Sequence, residues 1–416
     1  MSRTSPGPAT RAVCERNPQV RPVLTLIVPG ALNQRTGGYR YDARLLDGLR
    51  ARGWQVQVCE LDGTFPQVDE QARAAMDAAL RAQPDGARVL VDGLALGGLP
   101  ELAHNHASRL RLIALVHHPL GDETGLDETQ AVELHQRELK ALQAVRLVIT
   151  TSDFTARRLR TLASIHAPAM GLVQRQTPRA SSGDRSSAGP RAGSDMGADA
   201  GLDPGTGHPS SPGSIQVPIA VVEPGVEPAP RAAADHQPPR LLCVATLTRR
   251  KGHEVLLRAL AGMVGLPWHL NCVGSAERDV DHANHLRSLV MAFGLAGRVD
   301  FVGELDDAAL TAAYAGADIF VLPSFYEGYG MVIDEALAHG LPIVSTGGGA
   351  LTQTVPAGAG LLVPPGDVDA LAGALRLVLT DGALRARLRA GARQRRIHLR
   401  SWTQVAAAFE SILEGV

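Results

Sequence analysis

Residues 317–349, ADIFVLPSFYEGYGMVIDEALAHGLPIVSTGGG, constrain the fold more than any other stretch of the chain. The apolar run 319–322 has the length and character of a parallel strand buried on both faces. A polar loop carrying two glycines, 324–330, follows it. Residues 331–339 read as a helix, stopped by Gly340 in the left-handed cap position with Pro342 just beyond. Residues 343–345 form the next strand, and Gly347, Gly348 and Gly349 open the next loop. Such a βαβ unit sets its glycine-rich loops on the carboxyl edge of a sheet, where open α/β sheets bind ligands.

The chemistry of that edge follows from its residue types. Gly328 and Gly330 let the backbone approach a ligand closely, because no Cβ stands in the way. Free N–H groups at the start of the 331–339 helix, with its dipole, favour an anion such as a phosphate. Glu327 and Glu335 flank the loop, and carboxylates accept hydrogen bonds in pairs, which suits vicinal hydroxyls on a sugar or ribose. The bland reading makes both solvated surface charges; their place beside a switch loop argues for the other. An anion seat with two hydroxyl readers describes a sugar nucleotide.

At 416 residues the chain exceeds what one core usually supports, so two domains are expected. A net charge of −1 gives no case for nucleic acid as partner. No stretch has the apolar length of a membrane span. Residues 1–20 lack an apolar leader core and read as a disordered tail. Cys14, Cys59, Cys243 and Cys272 show no metal or redox spacing, which fits a reduced cytoplasm. Lysine occurs only at Lys140 and Lys251 among abundant arginine, so each lysine merits separate attention.

Alternating strand and helix patterns fill 21–226: strands at 23–28, 56–59, 89–91, 112–116, 147–150 and 219–222, with helices at 39–52, about 99–110, 128–142 and after Ser152-Asp153. Within them, about 174–213 is poor in large apolar residues and reads as a disordered insertion. Proline-rich 227–239 reads as a linker. The alternation restarts over 240–400, with strands at 241–245, 269–273, 299–301, 319–322, 343–345 and 361–363 and helices at 253–260, 285–293, 331–339 and 368–379. A C-terminal helix occupies 401–416. The fold class expected is α/β: two doubly wound, Rossmann-like domains facing across a cleft.

Thr246 to Gly252 (TLTRRKG) follows the first strand of the second domain, on the same edge as Glu327. Cations beside the positive end of a helix dipole are unfavourable unless an anion is near, so Lys251 is assigned to a diphosphate. His117-His118 stands at the carboxyl end of the strand 112–116, where a histidine can donate to a ligand; no third residue has zinc spacing. Two Asp-x-Asp pairs, Asp279/Asp281 and Asp367/Asp369, are read as structural, the second as a helix N-cap. Seven arginines between Arg385 and Arg400, with no acidic residue among them, form a basic surface that reads first as a solvated helix face and second as a peripheral contact for lipid headgroups or a polyanion. The fingerprints of a dinucleotide oxidoreductase and of a nucleotide triphosphatase are both missing.

With these residues in hand the chain resembles the family 4 glycosyltransferases, retaining enzymes of GT-B fold. The resemblance rests on Pro323-Ser324, Glu327-Gly328-Tyr329-Gly330 and Glu335-Ala336, supported by Val302-Gly303, Arg250-Lys251-Gly252 and the GLLVPPGD stretch of residues 360–367. It is strong over 240–402 and weaker over 23–226. It implies that Glu335 holds the ribose hydroxyls, and that Lys251, with Arg249 and Arg250, binds the diphosphate. Glu327, with the Gly328, Tyr329 and Gly330 backbone, would grip the sugar, which His117 would contact from the other domain. Gly37 and Gly38 would lie near the diphosphate and acceptor. Thr246 stands where the family commonly has a diphosphate-binding arginine, and Gln353 where a glutamate is usual.

The expectation is a cytoplasmic, metal-independent hexosyltransferase that needs no cofactor, moving a sugar from a UDP- or GDP-activated donor to a hydroxyl acceptor (a glycan, a lipid or a small molecule). Its localisation would extend to the inner face of the membrane. A sugar-nucleotide epimerase, a phosphorylase, or a non-catalytic sugar-nucleotide-binding scaffold on the same fold are the alternatives.

Overall fold

A computed structural model describes residues 22–165, 217–233 and 235–416. The expected tail 1–20 and insertion 174–213 lie outside the described residues, as does Cys14. Twelve strands form two six-stranded sheets in which every pairing is parallel.

The first sheet contains β1 (Val23–Pro29), β2 (Gln55–Leu61), β3 (Arg88–Asp92), β4 (Arg111–Val116), β5 (Leu147–Thr150) and β6 (Ile219–Val221), in the order β2-β1-β3-β4-β5-β6. The second contains β7 (Arg240–Val244), β8 (His269–Val273), β9 (Val299–Gly303), β10 (Ile319–Leu322), β11 (Ile343–Thr346) and β12 (Gly360–Val363), in the order β12-β11-β10-β7-β8-β9. Central strands such as β1 and β10 are buried almost throughout, because helices cover both faces of a parallel sheet.

Strand order reverses once in each sheet, between β1 and β3 and between β7 and β10. At such a point the flanking loops diverge to opposite faces and leave a crevice at the carboxyl edge. In the first sheet the reversal exposes the loop leading to Gly37 and the end of β3 at Asp92. In the second it exposes the Thr246–Lys251 loop (246–251) and the loop 323–330. The sequence motifs therefore occupy the two positions that topology opens.

Most helices follow the apolar periodicity, with differences at the ends. The helix expected near 285–293 runs Val280–Ala292, because the Asp279 side chain accepts from the His282 N–H and starts it early. Asp367 likewise caps Val368–Thr380 through the Ala370 N–H. Both Asp-x-Asp pairs thus begin helices. The segment near 99–110 divides into Gly93–Leu96 and Pro100–His106, since Pro100 suits only a first helical turn. Glu70–Arg81 and Asp307–Ala315 are helices as well.

The C-terminal helix Trp402–Glu414 crosses back from the second sheet to the first lobe. Val405, Phe409 and Leu413 join the core beneath β1, beside Leu45, Leu46 and Leu49 of the helix Gly37–Ala51. A Cβ on Gly48 would overlap Ala406, so the two helices pack at close range. Val226 and Ser401 form a bridge where the chain passes between lobes in both directions.

Candidate functional site

Around the second crevice, the 3-10 turn Arg249–Lys251 ends at Gly252, whose φ of +69° is a left-handed value that favours glycine. A Cβ at this position would also overlap the Pro323 carbonyl, so the 246–251 loop and the 323–330 loop are pressed together. The Phe325 N–H donates to the Arg250 carbonyl at 2.8 Å. This packing brings the Lys251 Nζ to 2.6 Å from Glu327 Oε1, which also accepts from Ser324 Oγ at 2.7 Å. Arg250 Nη1 stands 3.5 Å from Glu327 Oε2 and donates to the Tyr326 carbonyl at 2.8 Å.

Burial and charge compete in this cluster. Burial pushes the Glu327 carboxyl up, but Lys251 and Arg250 outweigh it and leave the group below the ordinary glutamate range. Burial pulls the Lys251 amine down, and Glu327 only partly restores it. Arg250 remains a firm cation: burial opposes its charge, and Glu327 and Glu123 more than compensate. Glu123 belongs to the first lobe and lies 3.0 Å from Arg250 Nε, so Arg250 spans the cleft.

Glu335, midway along the helix Met331–Ala338, also faces the other lobe. It accepts from the Tyr314 hydroxyl at 2.8 Å and lies 3.6 Å from Arg40 Nη2 of the Gly37 helix. Gly330 enters that helix with φ +88°. Two side chains stay outside the ion pairs, the role expected of Tyr329 being one for its backbone N–H. The Tyr329 hydroxyl is committed to Asp334 Oδ2 at 2.6 Å, and Arg249 is exposed, with no ion pair to Glu327 or Glu123 among the described residues.

The first lobe meets this loop directly. Ser152 Oγ donates to the Gly328 carbonyl at 2.6 Å, and a Cβ on Gly328 would overlap the His117 carbonyl. Beside it, Gly37 and Gly38 open the helix Gly37–Ala51, whose N-cap Thr36 provides no side-chain cap. The backbone N–H groups of that first turn are left for another acceptor. The His117 ring sits against Gly38, with a Cβ there 3.1 Å from His117 Cδ2. His117 Nε2 lies 3.2 Å from Asp42 Oδ1 and 3.5 Å from Asp92 Oδ2. These three are the group among the described residues whose potential metal-donor atoms fall within 4.8 Å of one another. The second oxygen of Asp92 is committed to the Leu94 N–H at 2.7 Å, and the imidazole already fits the carboxylates as a hydrogen-bonding partner.

Asp42, Asp92, Glu123 and Arg40 are absent from the residues that the sequence singled out. Asp92 carries a usable signal, since it ends β3 at the reversal point. Asp42 carries none, because a single aspartate in a helix reads as a surface charge. A cleft of about 490 Å³ continues the site between the lobes, lined by Gln34, Arg35, Ser275, Glu277, Arg278 and Glu304. Arg278 bridges it to Gln34 Oε1 at 2.5 Å.

Residues 229–395 match the family model of glycosyl transferases group 1. Over 171 residues the chain is 36% identical to the phosphatidyl-myo-inositol mannosyltransferase of Mycolicibacterium smegmatis, covering 40% of this chain and 42% of that protein. It is 44% identical over 113 residues to the glycogen synthase of Mycobacterium tuberculosis, covering 27% of each. The chain thus spans less than half the length of the curated relatives it matches. Among solved structures, a sucrose-phosphate synthase from Thermosynechococcus elongatus superposes with a TM-score of 0.70 at 22% identity, over 95% of this chain and 99% of that one. Anabaena HepE in complex with UDP-glucose gives 0.66 at 16% identity, over 95% and 100%. The chain has the GT-B fold, and its second domain carries the group 1 glycosyl transferase signature.

Proposed function

We propose that the protein is a retaining, metal-independent glycosyltransferase of family 4 that moves a hexosyl group from a UDP- or GDP-sugar to a hydroxyl acceptor. The observation that carries this reading is the cluster Lys251–Glu327–Arg250, set at the second sheet's reversal point and facing Gly37, Gly38 and His117 of the first. Glu335 holds the ribose, and the diphosphate lies between Lys251 and the uncapped start of the Gly37 helix. As the sugar–phosphate bond breaks, negative charge grows on the leaving diphosphate. Lys251 and Arg250 neutralise it in a site shielded from water, where fixed charges act most strongly. Their fixed positive charge supports a reaction without a resident metal.

Glu327 is held by Lys251 and Ser324 and so is not a free carboxylate base for the acceptor. The leaving phosphate then takes the acceptor proton on the face from which it departs, and the anomeric configuration is kept. Acceptor choice resides in the first lobe. The mannosyltransferase relatives are named for phosphatidyl-myo-inositol, which supports a lipid or polyol acceptor and contact with a membrane surface. No helix among the described residues is long and apolar enough to cross a membrane, so such contact falls to the arginines of the helix Gly382–Arg396.

The test is transfer from a panel of UDP- and GDP-sugars, first screened by thermal stabilisation. Lys251→Ala and Glu327→Ala should each abolish transfer while the lobes stay folded. Full activity in either variant overturns the assignment.

A further inference from the structure

The environment of His117 goes beyond what a sugar contact requires. Its Nε2 is bracketed by two carboxylates from different elements, at 3.2 and 3.5 Å. Asp42, from the Gly37 helix, is 1% exposed, and Asp92, at the end of β3, is 6% exposed. Asp42 Oδ2 is buried with no hydrogen-bond partner among the described residues, which makes the pocket more negative than a neutral imidazole would balance. A neutral ring could donate one hydrogen from Nε2 and would leave the two buried carboxyls without a countercharge unless one of them kept a proton; burial pushes the Asp42 carboxyl up, and His117 opposes that rise. A cationic ring neutralises one charge and donates from both nitrogens.

The other nitrogen is available. His117 Nδ1 takes no protein partner among the described residues and is not among the buried unpaired atoms. The side chain is 19% exposed. It lies beside the start of the Gly37 helix, where Gly37 has no neighbouring atom within 4 Å of a would-be Cβ and Thr36 leaves the first N–H groups uncapped. The helix N–H groups favour an anion at this place, and a cationic imidazole N–H beside them would favour it further.

We propose that Asp42 and Asp92 are positioning residues that keep the His117 imidazole doubly protonated and fix its ring, so that Nδ1–H is a permanent cationic hydrogen-bond donor to the donor's oxygens and never the general base for the acceptor. This rests on the glycosyltransferase reading and deepens it. The remaining groups around His117 are consistent with a retained proton. Tyr41 packs edge-on at 5.6 Å with its hydroxyl given to the Val222 carbonyl, and Tyr39, pushed up to about 12 by burial and Asp92, stays neutral. Burial alone would strip the proton from His117, but Asp42 and then Asp92 reverse that and carry it to about 10.

The test follows the His117 ring by imidazole nitrogen and carbon NMR in the full chain, assigned with His117→Gln, from pH 5 to 10.5. The wild type should remain imidazolium through pH 8.5, and Asp42→Asn and Asp92→Asn should each lower the midpoint by at least one unit, a tenfold loss of proton affinity. The kcat/KM of each Asn variant should then acquire a new fall at lower pH, with His117→Gln losing activity without that pH dependence. A wild-type midpoint near 6.5, or midpoints unmoved in the variants, overturns the proposal. So does a ring signal that shifts on adding Mg²⁺, Mn²⁺ or Zn²⁺. If Asp42→Asn fails to fold, the wild-type titration and Asp92→Asn still decide. An imidazolium that behaves as expected in a protein that transfers no sugar would sink the function while leaving the clamp, and the converse result separates the two the other way.

Discussion

Replacing Lys251 by methionine separates what the lysine does for folding from what it does for chemistry. The stem is preserved, but Glu327, 7% exposed, loses the cation at 2.6 Å. Breaking a buried ion pair from one side costs about 3–5 kcal/mol, because the surviving charge is left without its partner. Arg250 still stands 3.5 Å from the other carboxylate oxygen and Ser324 Oγ still donates at 2.7 Å, so the low end, about 3 kcal/mol, is expected. In a domain of this size each kcal/mol moves the melting temperature about 2–4 °C, giving a drop of roughly 6–12 °C. Glu327→Gln should fall by a similar amount, since it strands Lys251 in a buried site. The double variant removes both charges and should recover most of the loss, with a coupling of at least about 1.5 kcal/mol in a double-mutant cycle. Urea unfolding gives the stabilities and donor-dependent transfer gives the activity. Stability should return in the double variant while transfer stays abolished. Additive losses, or small ones in the single variants, would refute the account of the pair, and transfer restored with stability would refute the account of the chemistry.

Four further outcomes are expected. Gly328→Ala places a methyl against the His117 carbonyl and should hold the lobes apart: small-angle scattering should show a larger radius and turnover should fall at least tenfold, with unfolding of each lobe little changed. Phe409→Ala should cost about 3–5 kcal/mol in the first lobe, seen by denaturant unfolding, because the ring fills the core beneath β1 although it lies far along the chain. Burial raises the Glu138 carboxyl from 4.5 to about 8; the native state therefore holds a proton that the unfolded chain has released, and stability should decline as pH rises from about 4.5 to 8. Glu138→Gln should flatten that decline in melting scans across the same window. Since burial lowers the Lys251 amine and a bound diphosphate would raise it again, donor binding on the alkaline side should take up a proton, measured by calorimetry in buffers of different ionisation heat; Lys251→Arg should abolish the uptake.

The second lobe was legible because its chemistry is local. Glu327, Gly328, Gly330 and Glu335 fall within nine residues, and period and glycine placement fix where their loop must stand. Lys251 was found by scarcity and by its place after a strand. The first lobe was legible as alternation and far less as a site. His117 and Gly38 meet across 79 residues, and Asp42 and Asp92 reach His117 from a helix and a strand that no local pattern connects. Proximity in sequence to Lys251 and Glu327 does not by itself bring the Arg249 and Tyr329 side chains into the ion-pair cluster. One faces solvent from the short turn, and the other is captured by Asp334. The path of the helix Trp402–Glu414 was equally hidden: its apolar face was evident, but periodicity says only that a face is buried, not which core buries it.

Polar contacts cross between the lobes at several points. Arg250 meets Glu123 at 3.0 Å, Tyr326 donates to Asp122 at 3.0 Å, Arg40 approaches Glu335 at 3.6 Å, Arg44 reaches Asp307 at 2.7 Å, and Arg35 donates to the Leu305 carbonyl at 2.6 Å. An exposed pair such as Arg44–Asp307 contributes about 0–1 kcal/mol, so contacts of that kind hold one arrangement without locking it. An apolar seam of the same area would resist opening far more. Several of these groups, Arg250 and Arg40 above all, are also the ones that a diphosphate and a ribose would engage. A donor entering the cleft must therefore exchange its own oxygens for cross-lobe contacts while Ser152 and the His117 carbonyl keep the Gly328 loop in register. Donor binding and lobe movement then draw on the same side chains, which is the physical basis for expecting them to be coupled.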